Sequence, residues 1–444
     1  MVYMSVCQAL TGSGGWPLTI LMTPDQKPFW AGTYLPKSSA YGRMGILDLL
    51  SVAKKIWQSD RQKILSSGDE IAALLDKARV SAKADPQKQV LHKAFKEFEH
   101  AYDEQWGGFG WAPKFPSPHN LLFLMRYSQT ENNSHALAMV EHTLRQMFRG
   151  GIFDHVGGGF SRYSTDEKWL VPHFEKMLYD NALLSFAYLE AYHITRKDFY
   201  LQVAKRTLDY VLRELTNKDG GFYCGQDADS NGVEGEYYTF TIEEIYHVLG
   251  QGDGTAFIEW FGLTNRGNFE GKNVLNLLKN SSYEENNSDI ASSAAKLYNY
   301  RLSRVHLHKD DKVLTSWNAL MISALAKAGY LTGDALYLQA AKKAADFLNV
   351  NLSNKDGGLM VRWREGEAAY DAQLDDYAFY AFALLELYHA TLDIKYLKQA
   401  AEISSQMIDR FWDEEAGGFF FYSKYAEQLI ARPKETFEIG RAHV

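Results

Sequence analysis

GGIFDHVGGGFSRYSTDEKWLVPHFEKMLYDN, residues 150–181, begins as a glycine-rich loop and ends in a helical pattern. It holds His155, Arg162, Tyr163, Asp166, Trp169, His173, Glu175, Lys176, Tyr179 and Asp180. So many mixed charges and aromatics beside a glycine run exceed what a surface loop needs, and they suit a site for a polar ligand. Pro172 reads as the first-turn residue of a helix running to Ile194. On that helix His173, Lys176, Met177, Asp180 and Leu184 fall at i, i+3, i+4, i+7 and i+11, one face. A His, a Lys and an Asp on a face that also carries Met and Leu would point inward together, and buried charges need partners. An internal network that only fixes helix packing is the structural alternative. Against it, Arg162, Tyr163, Asp166 and Trp169 lie on the loop that feeds the same helix.

Working outward, a Gly-Gly pair followed by an apolar residue recurs at Phe109, Phe160, Phe222, Leu359 and Phe419. The separations are 51, 62, 137 and 60 residues, the long one about two units. Between these turns the pattern is helix after helix from Gln87 onward: 91–102, 119–128, 134–148, 172–194, 199–215, 242–249, 288–305, 317–331, 335–348, 377–391 and 396–411. Helical hairpins at this spacing predict a mainly α fold, an (α/α) toroid, with an open α-solenoid as the other arrangement. The N-terminal part differs. Val2–Pro36 reads as strand and turn, with Leu18–Met22 and Phe29–Tyr34 as a hairpin that is marginal by itself. Gly45–Ala84 reads as a helical connector, and Ala84-Asp85-Pro86 as a boundary.

The N-terminal run TGSGGWPLTILMTPDQKPFWAGTYLP (residues 11–36) resembles the C-terminal half of the thioredoxin-like domain in the spermatogenesis-associated protein 20 family, where it precedes a helical toroid. Trp16-Pro17 would match the thioredoxin cis-proline loop. The family's redox segment would lie upstream of Met1, and Cys7 has no CxxC partner, so thioredoxin chemistry is not expected of this chain. WLVPHFEKMLYDNA (169–182) resembles the family most specifically, and it is also similar to the N-acylglucosamine 2-epimerase and cellobiose epimerase toroids. Lys114-Phe115-Pro116, after GGFGWAP, matches the family too. The resemblance implies a partial thioredoxin-like α/β fragment with its connector over 1–84 and a C-terminally incomplete six-hairpin toroid over 85–437. Residues 438–444, EIGRAHV, are expected to be a non-native tail. The epimerase likeness makes His173 a candidate acid/base, Asp180 or Glu175 its orienter, and His155 a second candidate.

A further cluster is CGQDADSNGVEGEYY, residues 224–238. Asp227, Asp229, Asn231 and Gly232 match the start of an EF-hand calcium loop, but the twelfth position is Tyr238 where that loop needs Glu. The favoured reading is therefore no metal or other cofactor, with Asp227 as a candidate general acid and Asp229 and Glu236 as contacts to sugar hydroxyls. Trp317, Asp375 and Tyr377 open two further helices, and they join Arg162, Tyr163, Trp169 and Lys176 as candidate ligand contacts. Neighbouring carboxylates on one helix point about 100° apart, so Asp310-Asp311 and Asp375-Asp376 are not glycosidase dyads in themselves. One of Asp227 or Asp229 with one of Asp310 or Asp375 is the plausible pairing.

Composition limits the partners. The 444 residues are 46% hydrophobic and 23% charged, which predicts a sizeable core. Aromatics reach 14%, in keeping with flat polar ligands as well as with large helical cores. The net charge of −8 is spread without a basic block, which argues against nucleic acid. No apolar run is long enough for a membrane span, and two lone cysteines suit a reducing, cytoplasmic setting. The expected function is carbohydrate processing, epimerase- or glycosidase-like, on a small sugar-like ligand. The alternative is a non-catalytic ligand-sensing or interaction module attached to a thioredoxin-like domain.

Overall fold

The computed structural model describes residues 2–40, 42–77, 87–427 and 430–434. The expected boundary at 84–86 and the tail 438–444 lie outside these residues. Fourteen helices are present among them: α1 (Val2–Thr11), α2 (Ile46–Ser59), α3 (Arg61–Lys77), α4 (Gln89–Ala101), α5 (Pro118–Thr130), α6 (Ser134–Arg149), α7 (Leu178–Thr195), α8 (Asp198–Glu214), α9 (Ile242–Phe261), α10 (Ser288–Arg304), α11 (Thr315–Thr332), α12 (Ala335–Asn351), α13 (Leu374–Thr391) and α14 (Ile394–Phe411). The protein is mainly α. The chain divides into two compact units, residues 1–85 with 407–437, and residues 86–406.

In the first unit, strands Thr19–Met22 and Pro28–Gly32 pair antiparallel with Ile20 opposite Ala31. Val6, Cys7 and Ala31 form its core, with Tyr3, Leu18, Ile20, Ile71 and Leu75 packed around them. The hairpin thus leans on α1 and α3, which supplies the support it lacks alone. Val2–Thr11 was expected to be extended and is a helix. Its Val2, Val6 and Cys7 are buried on one face, and that spacing outweighs the β-branched residues. The Trp16–Pro17 peptide is cis.

The second unit is a set of helical hairpins with the toroid's two-layer arrangement. Helices α7 and α11 are buried nearly all round, whereas α6 and α8 bury one face only. An all-round apolar helix belongs in the inside layer, an amphipathic one outside. The inner helices pack in the order α5, α7, α11, α13, with α7 against α8 and α11 against α12.

The Gly-Gly turns are one structural device repeated along the chain. In each, a residue just after a helix bridges to the apolar residue behind the glycines: Tyr102 to Phe109, Phe153 to Phe160, Thr216 to Phe222, Ser353 to Leu359 and Trp412 to Phe419. The residue after the bridge is Asp103, Asp154, Asn217, Asn354 or Asp413, and its side-chain oxygen accepts backbone N–H groups inside the turn. Two classes emerge. Turns built on Asp are one residue longer, and each is closed by a lysine that joins the carboxylate to the carbonyl of the first glycine. Lys114 reaches Asp103 at 2.5 Å and Gly107 O at 2.9 Å. Lys176 reaches Asp154 at 2.8 Å and Gly158 O at 2.7 Å, and Lys434 reaches Asp413 at 2.6 Å and Gly417 O at 2.5 Å. Among the described residues the turns built on neutral Asn have no such lysine, because an amide has no charge to compensate. Gly158 and Gly159 show why the pair is needed. Their φ values are 77° and 79°, and a Cβ on Gly158 would sit 2.5 Å from Arg206 O.

Candidate functional site

Helices α7, α11 and α13 begin in register: Leu178-Tyr179-Asp180-Asn181, Thr315-Ser316-Trp317-Asn318 and Leu374-Asp375-Asp376-Tyr377. The fourth residue of each ties its helix to a Gly-Gly turn. Asn181 accepts from Phe160 N at 2.7 Å and donates to Phe160 O at 3.0 Å. Asn318 accepts from Phe222 N at 2.7 Å and donates to Phe222 O at 2.9 Å. The Tyr377 hydroxyl accepts from Leu359 N at 3.0 Å. These ties fix the rotation of the three helices, so Asp180, Trp317 and Asp376 occupy equivalent places.

The helix expected from Pro172 starts at Leu178. Pro172–His173 instead pairs with Tyr163–Ser164, and Lys176–Met177 pairs with Gly225–Gln226, which pairs in turn with Lys309–Asp310. Extended pairing supplies hydrogen bonds on two sides that a first helical turn would leave open, and it overrides the Pro signal. His173, Lys176 and Asp180 therefore do not share a helix face.

They part accordingly. His173 is stacked on Tyr163 with ring centroids 5.0 Å apart, and Tyr163 lies 4.9 Å from Phe115. Its Nδ1 lies 2.8 Å from Glu234 and its Nε2 3.8 Å from Glu175. Glu175 in turn pairs with Arg162 at 3.0 Å, and Arg162 neighbours Tyr179 and Asp180. Tyr179 packs on Trp317 at 4.9 Å. A continuous path of polar and aromatic side chains thus runs from Phe115 through His173 and Arg162 to Asp180 and Trp317.

Asp180 is the exceptional member. It is 6% exposed, and its Oδ2 is buried without a hydrogen-bond partner. Burial pushes its carboxyl well above the ordinary range, against the hydrogen bond from Tyr179 and the charge of Arg162. Asp376 is raised too, by burial and by neighbouring Asp375. Its oxygens, however, accept from Ser316 N at 3.0 Å and Gln373 N at 2.9 Å, joining the starts of α11 and α13.

Other expected contacts lie elsewhere. The Lys176 ammonium is fully enclosed by Asp154, Gly158 O and the Tyr210 ring at 4.4 Å, with burial bringing it down to about 8. Asp154 also takes both terminal nitrogens of buried Arg301, at 3.1 and 2.8 Å. His155 is ringed by Phe148, Phe153 and Phe261, and burial lowers it to about 3. Its Nε2 lies 3.1 Å from Gly150 O, which occupies one ring nitrogen. Trp169 is 0% exposed and donates its indole N–H to Trp106 O at 2.8 Å, so it belongs to the core and not to a rim. Tyr377 is 1% exposed and held by its tie.

Asp227 and Asp229 are exposed. Asp229–Ser230 and Val233–Glu234 form a hairpin turning at Asn231 and Gly232, with φ of 53° and 77°. That is the Asn-Gly turn chemistry of a tight hairpin, which accounts for the calcium-like spacing. Among the described residues no group of three or more His, Cys, Asp or Glu is placed to hold a metal. Glu236 keeps a buried, unpartnered Oε2, and Asp310 is paired with Lys312 at 3.0 Å. Sequence reasoning missed His119, which opens inner helix α5. Its Nδ1 is buried without a partner, and burial lowers it. Its place in the first turn of an inner helix, like that of Tyr179, was the available signal.

The Thioredox_DsbH family, described as a protein of unknown function (DUF255), matches residues 1–76. Human spermatogenesis-associated protein 20 is 34% identical over 472 residues, covering 94% of this chain and 60% of the relative. The likeness to spermatogenesis-associated protein 20 thus runs along nearly all of this chain. An uncharacterized protein of Caenorhabditis elegans is 32% identical, over 97% of this chain and 65% of its own length. The chain thus spans a little under two thirds of these relatives. Among solved structures, the GH76 alpha-mannanase BT2949 of Bacteroides thetaiotaomicron is 15% identical with a TM-score of 0.48, over 76% of this chain and 74% of its own. Cellobiose 2-epimerase of Bacillus thermoamylovorans is 16% identical with a TM-score of 0.34, over 76% and 92%.

Proposed function

We propose that the starts of the inner helices hold a small sugar-like ligand and carry out acid–base chemistry on it. Asp180 is the proton donor in this reading, because its burial keeps the carboxyl protonated where an ordinary Asp is ionised. The observation that carries the proposal is its buried Oδ2, which has no hydrogen-bond partner among the described residues. His173 is the accompanying base, with Nδ1 held by Glu234. Phe115 and Tyr163 offer apolar faces and Arg162 and Glu175 offer hydrogen bonds, the mixture a polyol ring needs. Aldose epimerisation and glycoside hydrolysis both fit such a donor and base.

Calorimetric binding of mono- and disaccharides, followed by product analysis on those that bind, tests the proposal. Asp180→Asn and His173→Gln are each expected to lower turnover by about 10²- to 10⁴-fold while leaving affinity within a few fold. Wild-type turnover in Asp180→Asn would remove Asp180 from the chemistry. A second reading, binding without chemistry, is favoured by one observation: Glu175 and Glu234 are already engaged by Arg162 and His173. Tight binding with no product from any sugar is its signature.

A further inference from the structure

Behind the Asp154 turn, separate from the inner-helix starts, lies a cavity of about 400 Å³ between α8 and the first turns of α10. Arg206 and Arg213, two turns apart on one face of α8, both line it. Arg213 is engaged by Glu214 at 3.2 Å and by the Tyr298 hydroxyl at 2.9 Å. Arg206 is not so engaged. It gives one N–H to His155 O at 2.9 Å and lies over the Phe153 ring at 4.8 Å. Among the described residues no carboxylate forms an ion pair with it. Arg206 is an exposed side chain that lines the cavity, and among the described residues only the N–H given to His155 O, of a guanidinium's five donors, has a protein partner.

The surroundings make this charge excess larger. Around the same turn, Lys176, Arg301, Arg213 and Lys309 share only Asp154 and Glu214. His155 in the cavity wall stays neutral, and Glu285 is the one carboxylate among the lining residues. Much of the remaining wall is apolar, from Phe148, Trp260, Phe261, Leu277 and Ile290. Asn287 caps α10 and also lines the cavity, so the positive end of that helix borders it. The protein as a whole carries −8, which makes a local cationic surplus with an apolar floor the more distinctive.

We infer that this cavity binds a small organic anion, with a carboxylate or phosphate head on Arg206 and an apolar body against Trp260 and Phe261. The site shares no residue with the proposed sugar site and does not depend on it. Isothermal titration of the full chain with phenyl phosphate, benzoate and inorganic phosphate tests it. Phenyl phosphate or benzoate is expected to bind saturably at or below about 1 mM, and the stronger of the two identifies the head group. Arg206→Gln is expected to weaken that binding at least about tenfold. Trp260→Ala is expected to weaken the aromatic probe but not inorganic phosphate, which keeps the test informative should the arginine variant fold poorly. No saturable binding by either aromatic anion to the wild-type protein overturns the inference. So does equal affinity in folded Arg206→Gln, or in Trp260→Ala.

Discussion

Asp180 and Asp154 are both enclosed, yet they answer burial in opposite ways. Asp154 faces two cations, Lys176 and Arg301, and is held well below the ordinary carboxylate range although burial alone would raise it. Asp180 has no comparable compensation and is raised. The signs follow by linkage. The folded state binds the Asp180 proton more tightly than the unfolded chain, so that contribution is full below about pH 3.9 and is lost as pH climbs toward the folded value. Asp154 contributes stability above its unfolded value and loses it as pH falls. Asp180→Asn is therefore expected to have a thermal midpoint that gains on the wild type as pH rises from about 4 to about 8. A constant difference across a series of buffered melts would show that the carboxyl is not a buried neutral acid. Asp154→Asn is expected to lose about 3–5 kcal/mol in urea unfolding, since two enclosed cations would share no carboxylate. The sequence showed the charges of this region, but not their partners. Arg301 reaches Asp154 from 147 residues away, and local spacing carries no trace of such a pairing.

At the scale of elements, the helices from Gln87 onward were legible, whereas helix α1 and one decisive helix start were not. The periodic apolar positions of α5, α6, α8, α11 and α12 announce themselves, because packing an amphipathic or fully apolar helix needs that spacing. Pro172 misled because a proline suits a first helical turn and an edge of extended pairing equally. The choice was made by Tyr163–Ser164 and Gly225–Gln226, which offered strand partners that no single-segment pattern reveals. The Gly-Gly turns were visible as a repeat, but their coupling to helix starts through Asn181, Asn318 and Tyr377 was not, because each tie joins residues 18 to 96 positions apart. That coupling is testable. Asn318 bonds both polar backbone atoms of Phe222 and also donates to Leu314 O at 2.9 Å. Asn318→Ala leaves buried backbone groups unpaired and is expected to cost about 1–3 kcal/mol in urea unfolding. Tyr377→Phe removes the acceptor for Leu359 N and keeps the ring, so its loss is expected to be the smaller. The reverse order would mean that these ties do not set the helix starts.

Across the whole molecule, the mainly α fold and the thioredoxin-like start were readable because each leaves a repeating or specific local signature. Among the described residues no helix is long and apolar enough to cross a membrane. A cavity assembled from α8, α9 and α10 leaves no such signature, and Arg206 looks from its neighbours like any solvated helix residue. Whole-molecule charge then poses a question that magnitudes settle. A net charge of −8 repels anions, but charge spread over a protein of this size acts mostly through more than one Debye length. At about 20 Å and physiological salt the screened repulsion is on the order of 0.1 kcal/mol. One guanidinium about 4 Å from an anion contributes about 4 kcal/mol at an effective dielectric near 20, before desolvation is counted. The local term wins. Phenyl phosphate affinity is therefore expected to fall several-fold as salt rises from about 20 to about 500 mM, and Arg206→Gln is expected to flatten that dependence. Titrations at a series of salt concentrations check both. Affinity that rose with salt would mean that the global negative charge governs anion approach and that Arg206 holds no anion.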